Sequence, residues 1–127
     1  MKKYIYIFIG LIFLALVVWL IVTPGKANRP DKYDTFAQCL KDKGAIFYGA
    51  FWCSHCQSQK ALFGRSVRFL PYVECSTPDG QGQLQVCKDA GITGYPTWQF
   101  NASSTDTING EATLEQLAEK TACVLPQ

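Results

Sequence analysis

Apolar residues are concentrated at the start of the chain, where Tyr4 to Thr23 contains no charged residue and is dominated by Ile, Leu, Val and Phe. A helix of about twenty residues spans about 30 Å, which matches the hydrocarbon core of a bilayer. Every face of this helix would be apolar, which disfavours a buried core helix. A cleaved signal peptide stays open, although Gly25-Lys26-Ala27 is only a weak cleavage site. We predict a retained transmembrane anchor over residues 1–23.

The direction of this anchor depends on its flanking charges and on the cysteines. Lys2 and Lys3 favour a cytoplasmic N-terminus, whereas Lys26, Arg29 and Lys32 on the other side weaken that signal. All six cysteines follow the apolar run. That cysteine density is typical of an oxidising compartment. We therefore expect a single-pass protein of the cell (inner) membrane whose C-terminal domain is extracytoplasmic or periplasmic.

The rest of the chain predicts one domain over residues 33–127, after a polar linker over 24–32. Phe36, Cys39 and Leu40 recur with helical spacing, and Thr113 with Gln116 has the spacing of a capping box. The predicted elements are a helix over 33–43, a strand over 45–51, a helix over 53–69 interrupted near Gly64, a strand over 72–75, a helix over 83–90, a strand over 97–101, a hairpin signal at Asn109-Gly110, and a helix from Thr113. This order predicts an α/β or α+β domain with a central sheet.

Cys53 and Cys56 are separated by two residues, a spacing at which two thiols can close a small reversible disulfide. A helix that begins at Cys53 would favour the thiolate, which is the form that attacks other disulfides. The motif therefore indicates thiol–disulfide exchange. A zinc site on Cys53, His55 and Cys56 is the main alternative. Cys75 and Cys87 are too far apart in sequence to supply a second pair of ligands, and we expect no metal.

The overall charge bears on one further class of function, nucleic-acid binding. The formal net charge is +2, with acidic and basic residues interspersed, so nothing indicates a nucleic-acid-binding surface.

The segment Trp52-Cys53-Ser54-His55-Cys56 after an apolar strand, with Gly94-Tyr95-Pro96-Thr97 before the next strand, resembles the thioredoxin-fold oxidoreductases. A narrower resemblance is to the thioredoxin-like domain fused to bacterial and plant homologues of vitamin K epoxide reductase. The residues that carry it are 48–53, 72–76 and 94–98. The resemblance implies a thioredoxin-like fold, with a central mixed β-sheet flanked by helices, and no cofactor.

The resemblance also implies roles for individual residues. Cys53 would be the exposed attacking thiol, and Cys56 the resolving thiol that displaces a bound substrate. Pro96 would follow a cis peptide bond, so that the Tyr95 backbone lies beside the cysteine pair and can bind an extended substrate. Trp52 and Tyr95 would border the pair as an apolar docking surface.

Two further positions bear on the direction of electron flow. Strongly oxidising bacterial relatives carry Pro-His between their cysteines, and this chain has Ser54-His55 there, which we interpret as redox-tuning residues. Thioredoxins themselves carry a buried acidic residue six positions before the first cysteine, where this chain has Phe47. Both departures favour oxidase or isomerase activity. An inert, exposed His55 stays the alternative.

If Cys53 pairs with Cys56, the other four cysteines allow three connectivities. A Cys75–Cys87 disulfide resembles the extra one in the vitamin K epoxide reductase-linked domains, and Cys39 and Cys123 would then pair. We interpret both as structural disulfides. A second redox-active pair at 75 and 87, and free buried thiols at 39 and 123, are the alternatives.

The large phenylalanines are expected in the core rather than at a ligand site. They are Phe36, Phe47, Phe51, Phe63, Phe69 and Phe100.

These observations lead to one functional hypothesis with two alternatives. We expect a membrane-anchored thiol–disulfide oxidoreductase that oxidises thiols of secreted proteins. A quinone-linked vitamin K epoxide reductase homologue on a separate polypeptide would reoxidise it, since this chain has one candidate spanning segment. The alternatives are a tethered reductase or isomerase, for example in cytochrome assembly, and a non-enzymatic anchored adaptor.

Overall fold

The N-terminal apolar run forms helix α1 (Lys2–Val22). This computed structural model describes residues 2–22, 30–101 and 105–127. Of these residues, only Lys3–Ile21 form a helix long and apolar enough to cross a membrane. By length and composition α1 fits an anchor or a signal sequence. Most of the expected linker lies outside the described residues.

The second unit of the chain begins at Asp31, within the segment expected to be a linker. Asp31 forms ion pairs with Arg65 and Arg68, and Arg68 also pairs with Asp34. Hydrogen bonding from the Arg65 guanidinium, together with its charge and that of Arg68, lowers the pKa of Asp31. These side-chain contacts join Asp31 to the domain, and the second unit therefore begins two residues before the predicted start at residue 33.

The domain contains four helices, four strands and a 3₁₀ helix among its described residues. They are α2 (Asp34–Asp42), β1 (Ile46–Gly49), α3 (Ser54–Ala61), the 3₁₀ helix (Gly64–Phe69), β2 (Tyr72–Glu74), α4 (Gln85–Asp89), β3 (Thr97–Gln99), β4 (Thr107–Asn109) and α5 (Leu114–Thr121). Each predicted helix and strand is present, and most are shorter than expected. The predicted helix over 53–69 divides into α3 and the 3₁₀ helix, whose first residue, Gly64, has a positive φ of 53° that favours glycine.

The four strands form one mixed sheet in the order β2-β1-β3-β4. The β1 and β2 strands are parallel, whereas β3 runs antiparallel to both β1 and β4. The central mixed sheet flanked by helices is therefore confirmed. Asn109-Gly110 does not form the turn of the hairpin, because it follows β4, where the Gly110 N–H donates to the Pro96 carbonyl.

Successive residues of β1 face opposite sides of the sheet. Phe47 packs in the larger core, where its ring stacks on Trp98 with centroids 4.8 Å apart. Tyr48 packs on the other side with Cys75 and Cys87. Because Phe47 and Tyr48 are buried in clusters on opposite sides, β1 is buried on both faces, and its C-terminal end leads toward the cysteine pair.

Two disulfides cross-link the domain. Cys39 in α2 is bonded to Cys123 after α5, across 84 residues of sequence. Cys75, directly after β2, is bonded to Cys87 in α4, across 12 residues. Each bond joins segments that the sheet alone does not hold together.

One aromatic residue departs from its expected place. Phe51 was predicted in the core, but it is 48% exposed, because β1 ends at Gly49 and the chain turns outward before α3.

Candidate active site

Cys53 occupies the N-cap of α3. Its backbone is extended, with φ −76° and ψ 115°, and its sulfur accepts a hydrogen bond from the Cys56 backbone N–H at 3.3 Å. The Cys53 N–H in turn donates to the Ala50 carbonyl. The sulfur therefore lies at the positive end of the helix dipole, where a negative charge is stabilised.

Cys53 is less accessible than the resemblance implied. Only 7% of the residue is exposed, whereas the preceding Trp52 is 55% exposed. The expectation of an exposed thiol is therefore wrong in degree. The side chain turns back to cap its own helix, and this turns the sulfur away from solvent.

Cys56 lies one turn further along α3 and is fully buried. Burial, and then the hydrogen bond with Cys53, raise the pKa of the Cys56 thiol to about 12. Both cysteines are free thiols in this structure. The pair thus consists of one sulfur at the helix end and a second, neutral sulfur behind it.

Gly49 at the end of β1 provides room for this second sulfur. A Cβ at position 49 would lie 3.0 Å from the Cys56 sulfur and 2.9 Å from Cε2 of the Tyr72 ring. Both separations are too short for carbon in a packed interior. Any side chain at this position would displace the Tyr72 ring or Cys56.

The peptide bond between Tyr95 and Pro96 is cis, and Pro96 is fully buried. The Trp52 ring meets the Tyr95 ring edge-on, with centroids 6.0 Å apart. The ring of Trp52, the residue before Cys53, thus contacts Tyr95, and the cis bond expected at Pro96 is present.

Glu74 holds the segment that leads into Cys53. One carboxylate oxygen accepts hydrogen bonds from the backbone N–H groups of Phe51 and Ser76, at 3.2 and 2.9 Å. The other oxygen accepts from the Tyr72 hydroxyl at 2.7 Å. Burial of Tyr72, together with this bond to Glu74, raises the pKa of the Tyr72 hydroxyl. The Trp52 indole N–H donates to the Ser76 hydroxyl at 2.8 Å, so two neighbours of Cys75 anchor this segment.

His55 is exposed and pairs with a residue that the sequence did not single out. Its Nδ1 lies 2.6 Å from a carboxylate oxygen of Glu111, and the two side chains are 72% and 40% exposed. Ser54 precedes it as the first residue of α3. The Glu111 contact fixes one ring nitrogen of His55, so this histidine is not simply a free surface side chain.

The family model described as thioredoxin matches residues 27–122. The chain belongs to the thioredoxin family. A second comparison finds similarity to the thiol-disulfide oxidoreductase LTO1 of Arabidopsis thaliana, which is 47% identical over 96 residues. The matched region covers 72% of this chain and 24% of that relative, so the chain spans about a quarter of the relative's length.

In this thioredoxin-family protein, position 47 provides no proton acceptor. Phe47 is fully buried between the Trp98 and Tyr72 rings, whose centroids lie 4.8 and 5.3 Å away. Glu74, whose carboxylate accepts from the Tyr72 hydroxyl, already accepts three hydrogen bonds. Thioredoxins carry a buried acidic residue at this position. In this chain the same position holds an apolar ring that packs against two other rings.

Sequence reasoning missed four residues of the site: Gln59, Glu74, Ser76 and Glu111. Gln59 is fully buried and holds the backbone of Ala112, donating to its carbonyl at 3.0 Å and accepting from its N–H at 2.7 Å. The sequence offered no signal for Gln59, because the burial that makes its amide need partners is visible only in the folded structure.

A metal centre has no support in the described ranges. Residues 2–22, 30–101 and 105–127 contain no group of three or more His, Cys, Asp or Glu side chains arranged to hold a metal ion. His55 is directed to Glu111, and Cys53 to the Cys56 backbone.

Proposed function

We propose that this protein is a membrane-anchored, extracytoplasmic thiol–disulfide oxidoreductase that oxidises thiols of secreted proteins through Cys53 and Cys56. The observation that carries the proposal is the placement of the Cys53 sulfur at the N-cap of α3, 3.3 Å from the Cys56 nitrogen, with Cys56 buried behind it. This arrangement supports Cys53 as the sulfur that exchanges with substrates and Cys56 as the sulfur that exchanges with Cys53.

The proposed reaction begins with the Cys53–Cys56 disulfide. A substrate thiolate attacks Cys53, a substrate–Cys53 bond forms, and Cys56 leaves as a thiolate that takes up a proton. A second thiolate of the substrate then attacks the substrate sulfur in this mixed disulfide and releases Cys53. Two electrons pass from the substrate to the enzyme, which becomes a dithiol.

The exposed surface at Trp52 and Tyr95 supports a role in substrate docking. Trp52 is 55% exposed and its ring contacts Tyr95, which precedes the cis Pro96. We propose that a substrate strand lies along Tyr95 and Pro96 and packs on the Trp52 ring. The Ser76 hydroxyl, which accepts from the Trp52 indole, would keep this ring in place.

Three features support the oxidising direction. His55 lies between the cysteines, where a positive charge would stabilise a Cys53 thiolate and hence the reduced form, which makes the disulfide a better oxidant. Phe47 replaces a buried acid. The Cys39–Cys123 and Cys75–Cys87 disulfides suit an oxidising compartment.

The apolar helix α1 supports the proposed location. Lys3–Ile21 is long enough to span a bilayer, and we propose that it stays attached as an anchor with the domain outside the cytoplasm. We further propose that a quinone-linked vitamin K epoxide reductase homologue returns the Cys53–Cys56 pair to the disulfide. A quinone is the class of oxidant that takes up the two electrons.

Trapping of substrates tests this function. In Cys56→Ala, a mixed disulfide at Cys53 cannot be resolved from within the protein, so we expect complexes that disappear on reduction. The measurement is mass spectrometry of proteins that co-purify with the variant from cells. The matched control is the Cys53→Ala, Cys56→Ala double variant, which should trap nothing. Secreted thiol proteins and a quinone-reducing membrane protein are expected; if both variants recover the same proteins, the proposal is wrong.

The reduction potential of the Cys53–Cys56 couple distinguishes an oxidase from a reductase. We expect the Cys53–Cys56 couple to equilibrate with glutathione at a potential above about −200 mV, well above the value of about −270 mV for thioredoxin. A value close to that of thioredoxin would instead support the tethered reductase, with electrons supplied from the cytoplasmic side. An adaptor without redox activity would show no change of the Cys53–Cys56 pair across the whole glutathione range.

A further inference from the structure

We propose that Lys60 is the cation that stabilises the Cys56 thiolate during disulfide exchange, and that the Tyr72 ring holds it there. This inference deepens the proposed function and depends on it. Lys60 lies four residues after Cys56 in α3, so both side chains are on the same face of the helix.

The position of the Lys60 side chain is fixed by β2. Its Nζ lies 3.5 Å from the centroid of the Tyr72 ring, which is a short cation–π contact. Lys60 is half-buried, so the ammonium is partly withdrawn from water. The Tyr72 ring is itself held, because its hydroxyl donates to Glu74 at 2.7 Å.

The same ring lies against the site of Cys56. The Tyr72 ring edge and the Cys56 sulfur both approach the same side of Gly49, where an added Cβ would be 2.9 Å from one and 3.0 Å from the other. Lys60 above the ring is therefore brought toward Cys56. Its positive charge acts to lower the pKa of Cys56, against the larger effect of burial.

A cation at this position matters because Cys56 must carry a negative charge at one step in either direction. In oxidation, Cys56 is the leaving thiolate when a substrate attacks Cys53. In the reverse direction, the Cys56 thiol loses its proton, attacks Cys53 and releases the substrate thiolate, which takes up a proton. The ionisable groups that face Cys56 are Cys53 and Lys60 in α3, and Tyr72, backed by Glu74, in β2. Lys60 supplies the positive charge in this group.

The step in which Cys56 attacks can be measured separately when the full chain, in detergent, reacts with dithiobis(nitrobenzoate). Attack of Cys53 releases one coloured thiolate in a phase that depends on reagent concentration. Attack of Cys56 on the resulting mixed disulfide releases a second coloured thiolate, in a phase whose rate does not depend on reagent concentration. We expect Lys60→Met to slow the second phase about tenfold and to displace its pH profile upward by about one unit, since a nearby charge acts at this scale.

The controls separate charge from packing. Lys60→Arg keeps the charge and should retain the second-phase rate within about twofold. Lys88→Met, at the exposed end of α4, removes a lysine away from the pair and should change neither phase. Tyr72→Leu removes the ring under Lys60 and should also slow the second phase, with thermal unfolding as the check that the protein is folded.

Each outcome has one meaning. An unchanged second phase in Lys60→Met, or an equal loss in Lys60→Arg, would overturn the role of Lys60 and leave the proposed function intact. Slowing of both phases to the same extent in Lys60→Met would show a general disturbance of α3 and would also overturn it. If the wild-type protein shows no second phase at all, the Cys53–Cys56 exchange itself, and hence the proposed function, is wrong.

Discussion

Replacement of Cys53 by serine is expected to remove disulfide exchange almost completely, by at least about a thousandfold, because an alcohol does not form the nucleophilic anion that a thiol supplies. Serine differs from cysteine by one atom and can keep the N-cap hydrogen bond to the Cys56 N–H. The fold should therefore persist. The measurement is the rate of insulin reduction and of thiol oxidation in a reduced model peptide, with thermal unfolding as the test of the fold.

The matched variant is Cys56→Ser, which removes the buried sulfur and leaves Cys53 in place. We expect this variant to react once with a disulfide reagent and then to stop as a mixed disulfide, since the resolving thiol is absent. In the wild-type protein, alkylation at mildly acidic pH should modify Cys53 and spare Cys56, because burial keeps Cys56 neutral, with a pKa of about 12. Equal alkylation of both cysteines, or full activity in Cys53→Ser, would contradict the assignment of the two sulfurs.

Removal of the Cys39–Cys123 disulfide is expected to have the largest effect on stability. The bond closes a separation of 84 residues and links α2 to the segment after α5. In the chain-entropy relation a cross-link of this span stabilises by about 4–5 kcal/mol, chiefly because it restricts the unfolded chain. Stabilities of single domains are about 5–15 kcal/mol, so about a quarter or more of the total would be lost. Urea unfolding of the Cys39→Ala, Cys123→Ala double variant, in the full chain, measures this loss in the free energy of unfolding.

The Cys75–Cys87 bond provides the comparison. It spans only 12 residues, for which the same relation gives about 3 kcal/mol. Both sulfurs are fully buried, so their replacement by alanine adds a packing loss to that figure.

The Cys39, Cys123 double variant should still carry out the first step of exchange at Cys53 while folded. A loss below about 2 kcal/mol in this variant would mean that the long cross-link does not restrict the unfolded chain as the relation requires.

Local patterns predicted much of the fold. The charge-free run at the N-terminus forms α1, and the capping box of Thr113 and Gln116 forms as the spacing indicates, with both reciprocal hydrogen bonds present. These features depend on residues within a few positions of each other, so the sequence contains their full cause. The limits of elements were less certain. The interruption predicted near Gly64 in the helix over 53–69 is present, but α3 already ends at Ala61 and the chain continues as a 3₁₀ helix from Gly64, which has a positive φ.

Burial was harder to predict than element type. Phe51 looks like a core residue by composition, yet it lies on the outward turn after β1 and is 48% exposed. Cys53 looks like an exposed nucleophile, yet its side chain turns inward to cap α3. In both cases the direction of a side chain depends on where the strand ends, which is decided by the pairing of β1 with its neighbours rather than by the residue itself.

The sequence by itself determined the spacing of Cys53 and Cys56, at which two thiols can form a reversible disulfide, and the apolar helix at the N-terminus, while its resemblance to the thioredoxin-fold oxidoreductases implied the cis bond at Pro96. The tertiary structure alone decided which groups surround that chemistry. Glu111 reaches His55 from 56 residues away, and Glu74 reaches the Phe51 backbone from 23 residues away. The Tyr72 ring meets Lys60 only because β2 pairs with β1 in this register. Such contacts are fixed by the packing of strands and helices distant in sequence, and no local spacing encodes them.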